Sequence, residues 1–426
     1  PNSFIASAWT IAATGATPVF VDISKDLNID CSLIEAAITS KTKAIMPVHF
    51  TGKIADMDQI LRIADQYRLF VVEDAAQAVG ALSRGQRAGS FGITGCFSLH
   101  PLKNLHVGPS TSQNTYVLAN ALRLSKNKKK VIVVSNQDHE SNTGVWRNLA
   151  SQGFEVREWK VRSNGSLYLD DLKKLVDKTV CLIAFPHASN IIGQVNPVKD
   201  ICTIAKEAGA FTCVDGVSYA PHGIPQINDF SPDIYLFSSY KTFGPHLGVM
   251  YVSDSLATEL ESQCHYFNQE FPNKRFTPAG PDHAQVAALG GIYDYYNSLS
   301  DHHLNSELSS SSCIDKLNNL ISNQEKKLLK PLLDFLKTKK DIRLLGSYEI
   351  EDRVPTVAIV TKKSNIVLAK ELNELNISVG TGDFYAVRLL QALGVDIHEG
   401  VIRLSFVHYT SGNDVEKLIS GLDRHL

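Results

Sequence analysis

Along the chain, short apolar runs alternate with stretches in which apolar residues recur every three or four positions. The runs Pro18 to Val21, Ala44 to Val48, Leu69 to Val72, Val131 to Val134, Val180 to Phe185, Phe211 to Val214 and Ile234 to Phe237 read as buried strands, with amphipathic helices between them. This alternation predicts an α/β protein in which crossover helices cover a mostly parallel sheet. Parallel strands end on the same side, so the chemistry of such a sheet collects at their carboxyl ends. After about Tyr296 the pattern changes. A Ser-rich stretch, Ser306 to Ser312, leads into a long helical segment rich in Leu and Lys. Strand-like pieces at Thr356 to Val360 and Ile402 to Phe406 then suit a smaller α+β domain.

Composition narrows the partners. The chain has 426 residues, 44% of them hydrophobic and 20% charged, with a formal net charge of -2. That is enough chain for a large core, and the charge balance points away from nucleic acid and toward a small metabolite. The run Lys126, Lys128, Lys129 and Lys130 reads as a solvated turn. No apolar run is long enough to span a bilayer, and no basic-then-apolar leader opens the chain. Seven cysteines form no CxxC pair, which fits reduced thiols in a cytoplasmic protein and gives no metal-ligand spacing. Patterning begins almost at Pro1, so the natural beginning is expected to lie upstream or to have been processed.

Chemistry enters through a repeat. An apolar strand ends in an acid at Val71-Val72-Glu73-Asp74 and again at Cys213-Val214-Asp215, and each time a second strand ends near a lysine. Lys103 lies 29 residues after Asp74, and Lys241 lies 26 after Asp215. The second pair stands in a fuller series. Gly108-Pro109-Ser110-Thr111-Ser112-Gln113 offers backbone N–H groups and hydroxyls to an anion just before the helical run Thr115 to Leu124. His139 follows the strand Val131 to Ser135 and offers a flat ring. Asn190 offers an amide, Asp215 a carboxylate and Lys241 an amine at the entry to a Gly/Pro loop. Singly, these residues read as helix caps, turn formers and structural histidines. In this order they meet the demands of pyridoxal 5'-phosphate, a cofactor that supplies an electron sink while the protein supplies binding, orientation and charge. An opposite charge at the pyridine nitrogen keeps it protonated, and a desolvated lysine loses its proton readily.

From about Gly108 onward the sequence resembles the class V aminotransferases, and within them the cysteine desulfurase-like proteins. The motifs are Gly108-Pro109-Ser110-Thr111, Asp138-His139, Ala188-Ser189-Asn190, Val214-Asp215-Gly216, Ser238-Ser239-Tyr240-Lys241 and Phe243-Gly244-Pro245-His246-Leu247-Gly248. The resemblance implies a fold-type I pyridoxal-phosphate enzyme. In it Thr111, Ser112 and Ser238 bind phosphate, His139 stacks on the ring, Asn190 holds the ring hydroxyl, Asp215 pairs with the pyridine nitrogen and Lys241 forms the aldimine. Arg403, in Val401-Ile402-Arg403-Leu404-Ser405, resembles the arginine that grips a substrate α-carboxylate. His139, Asp215 and Lys241 are the expected catalytic residues, and an amino acid is the expected substrate. The chain departs from the desulfurase pattern at three places. No cysteine follows Cys313, and the stretch expected to carry the nucleophile reads Gly380-Thr381-Gly382-Asp383-Phe384-Tyr385. Ser218 stands where a glutamine is expected, and Tyr240 where a histidine is expected. A persulfide needs a thiolate, so desulfuration by the usual route is not expected.

Residues 1 to about 106 resemble a different family, the nucleotide-sugar aminotransferases, through Asn2-Ser3-Phe4-Ile5-Ala6-Ser7-Ala8, Val72-Glu73-Asp74-Ala75-Ala76-Gln77 and Ser98-Leu99-His100-Pro101-Leu102-Lys103-Asn104. That resemblance implies a second, partial site. Phe4 would lie beside the cofactor, Asp74 on the pyridine nitrogen, Gln77 on the ring hydroxyl, Ser98 on phosphate and Lys103 in the aldimine. The phosphate loop that this family carries upstream of Phe4 is not in the chain. Three segments are therefore expected: 1–106, partial and sugar-aminotransferase-like; 107–296, the cofactor-binding large domain; and 297–426, the small domain. The leading reading is a pyridoxal-phosphate enzyme acting on an amino acid, as a transferase or lyase. The alternatives are a nucleotide-sugar aminotransferase and a catalytically silent fusion or structural protein. Class V resemblance also implies a homodimer.

Overall fold

The computed structural model describes residues 5–50, 53–76, 78, 81–96, 105–269, 271, 274–305, 308 and 311–426. The chain divides into two compact units, Pro1–Leu102 and Lys103–Leu426. In the first, strands β1 (Ala44–Ile45), β2 (Phe70–Asp74) and β5 (Thr94–Cys96) form a parallel sheet in the order β1-β2-β5. Strands β3 (Leu82–Ser83) and β4 (Gln86–Arg87) make a hairpin. Helix Met57–Tyr67 starts where Asp56 accepts from the Gln59 N–H, and it buries Met57, Ile60, Ile63 and Ala64 against Ile45 and Val71. The run Pro18 to Val21, read above as a strand, is not one. It pairs with no strand among the described residues, and Val19 and Phe20 are 67% and 61% exposed. Apolar character alone does not make a strand that lacks a partner.

The second unit holds a seven-stranded sheet made of β6 (Leu105–Gly108), β7 (Val131–Ser135), β8 (Glu155–Trp159), β9 (Val180–Pro186), β10 (Phe211–Asp215), β11 (Ile234–Ser238) and β12 (Gly248–Val252). Its order is β6-β12-β11-β10-β9-β7-β8. The sheet is mostly parallel, and β12 alone runs antiparallel to both of its neighbours, β11 and β6. Alternate side chains fill two cores. Ile132, Val134, Leu182, Ala184, Cys213 and Leu236 meet helix Thr111–Leu124 through Leu118 and Leu122 on one face. Val131, Val133, Ile183, Phe185, Val214 and Tyr235 meet Val198, Ile201 and Ala205 of helix Val198–Glu207 on the other. Burial on both faces explains why these strands read as continuous apolar runs rather than as alternating ones.

A four-stranded antiparallel sheet, ordered β13-β14-β16-β15, follows with β13 (Ile342–Leu345), β14 (Thr356–Thr361), β15 (Gly380–Gly382) and β16 (Val401–Ser405). Helices Ser311–Lys337, Asn365–Glu374 and Gly412–His425 pack on it around Leu332, Leu368, Ile402 and Leu422. The expected boundary at 296/297 falls inside helix Gly290–Leu304, and the one at 106/107 falls inside β6. Both elements are continuous in hydrogen bonding, which composition does not reveal.

One close approach in this fold shapes everything above the sheet. A Cβ on Gly248 would lie 2.3 Å from the Ser110 carbonyl carbon and 2.4 Å from the Thr111 nitrogen. Only a hydrogen side chain lets β12 run under the start of helix Thr111–Leu124. Gly248→Ala is expected to lower stability by about 1–3 kcal/mol through overpacking against backbone. The shift of the urea midpoint checks this.

Candidate functional site

The parallel strands β7, β9, β10 and β11 end on one side of the sheet, and a cavity of about 540 Å³ opens there. Seven of the residues singled out from the sequence line it: Thr111, Ser112, His139, Asn190, Asp215, Ser238 and Lys241. They are brought together from distant parts of the chain because each lies just at or beyond a strand end or at a helix start.

Helix Thr111–Leu124 begins a turn earlier than the sequence pattern indicates. Ser110 accepts from the Gln113 N–H and caps it, so Thr111 and Ser112 occupy the first turn, where backbone N–H groups have no partner within the helix. The helix dipole and these donors favour an anion at this end. Thr111 Oγ1 is 2.8 Å from Ser238 Oγ, and Ser112 Oγ is 2.6 Å from Ser141 Oγ. Hydroxyls from three elements therefore converge at the helix start.

Asp215 ends β10, buried, with its Oδ1 accepting from the Val217 N–H at 2.8 Å. Burial pushes its carboxyl up to about 6, while the Val217 N–H and the Lys241 ammonium pull the other way. Asp138, which the sequence reading quoted but gave no role, is also buried. Its oxygens accept from the His139 N–H and from Asn142 Nδ2, both at 2.8 Å. Burial and the nearby Asp215 charge hold it well above the usual carboxylate range. Two carboxyls in one dry corner oppose each other's ionisation, so the corner favours a proton or an incoming cation.

His139 caps a short 3-10 turn, Glu140–Asn142, through Nδ1, which accepts from the Ser141 N–H at 3.1 Å. Burial first, then the Lys241 and Arg403 charges, lower its pKa to about 4, so the ring is neutral at pH 7. Its ring lies 5.2 Å from that of Tyr385. Lys241 stands in the 3-10 turn Ser239–Thr242 after β11, with its side chain reaching into the cavity and open to solvent there. Crowding by protein lowers its pKa, Asp215 opposes that, and Arg403 adds to it.

Asn190 Nδ2 donates to the Phe384 carbonyl at 2.9 Å, and its Oδ1 is buried without a hydrogen-bond partner among the described residues. A native core rarely leaves an acceptor so, and a ligand hydroxyl is one way to satisfy it. Arg403, on β16, donates from Nη1 to the Asn190 carbonyl at 3.0 Å. Arg147 and Arg388 pair with Glu158 and Glu140, whereas Arg403 has no carboxylate within ion-pair distance among the described residues. The turn that meets these groups, Gly382 to Tyr385, has positive φ throughout its aromatic pair: 50° at Phe384 and 55° at Tyr385. Two bulky residues in that region cost on the order of 1–3 kcal/mol each. Nothing in the sequence pattern marks them, because propensity there favours Gly or Asn.

Of the second candidate set, Phe4, Gln77, Ser98 and Lys103 lie outside the described residues. Asp74 ends β2, accepting from Ser7 Oγ at 2.6 Å and from the Ala76 N–H at 3.1 Å. Its neighbour Glu73 is the buried one, 2.9 Å from His49 and accepting from the N–H groups of Gly89, Phe91 and Gly92.

The sequence profile of the class-V aminotransferases matches residues 105–301 and 314–418. The chain belongs to the class-V aminotransferase family. Its enzymes are pyridoxal-phosphate-dependent transferases and lyases, and the chain is an enzyme of this class V, cysteine desulfurase-like group. The profile of the DegT/DnrJ/EryC1/StrS aminotransferase family matches residues 1–110, so the first unit is similar to a second aminotransferase family. The aminotransferase-like protein FGM3 of Gibberella zeae is 29% identical over 326 residues, 74% of this chain and 77% of that protein. A cysteine desulfurase of Salmonella choleraesuis is 27% identical over 308 residues, 69% of this chain and 70% of that one. The Escherichia coli cysteine desulfurase CsdA superposes with a TM-score of 0.66 at 22% identity, covering 87% of this chain and 86% of its own, which shows a shared fold. Class-V membership thus agrees with the expected fold-type I architecture.

Titration offers a test of the buried corner. Folded Asp215 keeps its proton up to about pH 6, whereas the unfolded carboxyl releases it near 3.8, so the stability this group contributes at low pH is lost as the pH rises to about 6. His139 and His187, lowered to about 4 and about 3 from 6.5, contribute stability above 6.5 that is lost as the pH falls. The two trends oppose, so the Asp215 term is read as a difference. Cofactor-free Asp215→Asn is expected to gain Tm relative to the parent as pH rises from about 4 to 6. A constant difference across that window contradicts the assignment.

Proposed function

We propose that the cavity at the ends of β7, β9, β10 and β11 holds pyridoxal 5'-phosphate and that the enzyme acts there on an amino acid without forming a protein persulfide. The observation that carries the reading is that the buried carboxyl of Asp215 and the amine of Lys241 line one cavity at the strand ends. The remaining residues fit the same group. The first turn of helix Thr111–Leu124, with Thr111, Ser112 and Ser238, suits its phosphate. The unpartnered Asn190 Oδ1 suits its ring hydroxyl, and the neutral His139 ring suits its face. Asp215 suits its protonated nitrogen, an ion pair that would return the buried carboxyl toward its ordinary range.

The cofactor, when bound, supplies the sink for the electron pair left at the substrate α-carbon. The protein's own part is proton movement and grip. Lys241 Nζ, its basicity lowered by the protein around it, takes the proton from the α-carbon and returns it. Arg403 holds the α-carboxylate through its guanidinium, whose planar fork suits two-point contact. Asp138 fixes the backbone of His139 and, through Asn142, ties it to the end of β10. The turn after β15 presents Tyr385 to the cavity and no thiol, and no cysteine follows Cys313.

We read the second unit as a cofactor-binding large domain and a small domain, and the first unit as a sugar-aminotransferase-like segment; Lys103, which opens the second unit, is not the reactive amine. The enzyme is further proposed to be a cytoplasmic homodimer. Its cysteines are free, no helix among the described residues is long and apolar enough to cross a membrane, and Tyr266, Phe267 and Phe271 leave an aromatic surface open to a second copy.

Borohydride reduction of the full chain with pyridoxal phosphate, followed by peptide mapping, checks the assignment. Label is expected on Lys241, and Lys241→Ala is expected to lower turnover by about 10²-fold or more through loss of its acid–base role. Label on Lys103 alone, or sulfide as the main product from cysteine, contradicts the reading.

A further inference from the structure

Three contacts close a ring around Arg403, which stands beside the cavity through Asn190, one of the residues that line it. Arg403 Nη1 donates to the Asn190 carbonyl at 3.0 Å, Asn190 Nδ2 donates to the Phe384 carbonyl at 2.9 Å, and the Arg403 guanidinium carbon lies 3.9 Å from the centre of the Phe384 ring. The ring reaches that place by an unusual route. Strand β15 pairs Gly380 directly with Arg403, and the left-handed turn at Phe384 folds the aromatic ring back over the strand that precedes it. A Cβ on Gly380 would lie 2.9 Å from both Cε1 and Cζ of Phe384, so the absent side chain is the space the ring occupies. Arg403 has no carboxylate partner among the described residues, and its guanidinium is held there by the Asn190 carbonyl and the Phe384 ring face.

We propose that Phe384, seated over Gly380, is a positioning residue that aims Arg403 at the substrate carboxylate. The inference rests on the reading that Arg403 grips that carboxylate. A guanidinium fork bonds a carboxylate well only when the two planes are set, and a cation stacked on a ring face is held flat at little entropic cost when the ligand arrives. Through Asn190 the same ring of contacts joins the carboxylate grip to the cofactor cradle. The turn that desulfurase-like relatives are expected to use for a nucleophile serves here to orient an arginine.

The test uses the full-length enzyme loaded with pyridoxal phosphate and two aminooxy probes that share one reactive head. Aminooxyacetate carries a carboxylate and methoxyamine does not. Each displaces the Lys241 amine from the cofactor's carbonyl carbon, and the loss of the cofactor's visible absorbance gives a second-order rate constant. The parent is expected to favour aminooxyacetate. Phe384→Ala should reduce that preference about tenfold, Gly380→Ala should reduce it by displacing the ring, and Phe384→Tyr should retain it. Methoxyamine rates should be unchanged in all three. If Arg403→Ala abolishes the preference while Phe384→Ala and Gly380→Ala keep it, the positioning role is overturned and the carboxylate reading stands. If Arg403→Ala keeps the preference, the carboxylate reading fails and the proposal with it. Equal slowing of both probes in Gly380→Ala and Phe384→Ala also overturns it, since that marks general damage to the cradle.

Discussion

The cost of holding a carboxyl group in a dry core governs this protein. Asp215 is placed at the end of β10 by strand pairing on both sides, where burial raises its carboxyl, one backbone N–H answers it, and its charge adds to the burial that raises Asp138. Such a group must take a proton or acquire a cation. A core built only for stability would replace it with an apolar residue. Its persistence beside the amine of Lys241 is what a site for a cationic heterocycle requires.

The rest of the site follows from how the chain reaches that corner. Gly248 lets β12 run beneath the start of helix Thr111–Leu124, and this brings the helix's free N–H groups and the hydroxyls of Thr111 and Ser238 together at one end of the cavity. The segments that follow β7 and β9 deliver His139 and Asn190 to the same cavity. The chain from β15 onward contributes through three hydrogen bonds: Arg403 donates to the Asn190 carbonyl, Asn190 Nδ2 to the Phe384 carbonyl and the Glu140 N–H to the Tyr385 carbonyl. Arg403, Asn190 and the turn at Phe384 and Tyr385 are therefore parts of one hydrogen-bonded assembly within the second unit.

Much of this was legible before any coordinates. Strands such as Val180–Pro186 and Phe211–Asp215 are apolar on both faces, so they stand out as runs, and residues just past their ends fall into the cavity by geometry alone. What stayed hidden depends on partners. Glu155–Trp159 is an edge strand with charged residues and no apolar run, and Pro18 to Val21 is an apolar run that pairs with no strand among the described residues. The buried role of Asp138 arises from its closeness to Asp215, which lies 77 positions away in sequence and so leaves no local pattern. The positive φ values at Phe384 and Tyr385 are likewise imposed by tertiary contacts, against the preference of aromatic side chains.

The most direct measurement is a crystal structure of the full chain grown with pyridoxal phosphate. The account predicts density continuous with Lys241 Nζ, the phosphate against Thr111, Ser112 and Ser238, and the pyridine nitrogen on Asp215. Cofactor bound at Lys103 with this cavity empty, or bound here with its nitrogen turned away from Asp215, would contradict it.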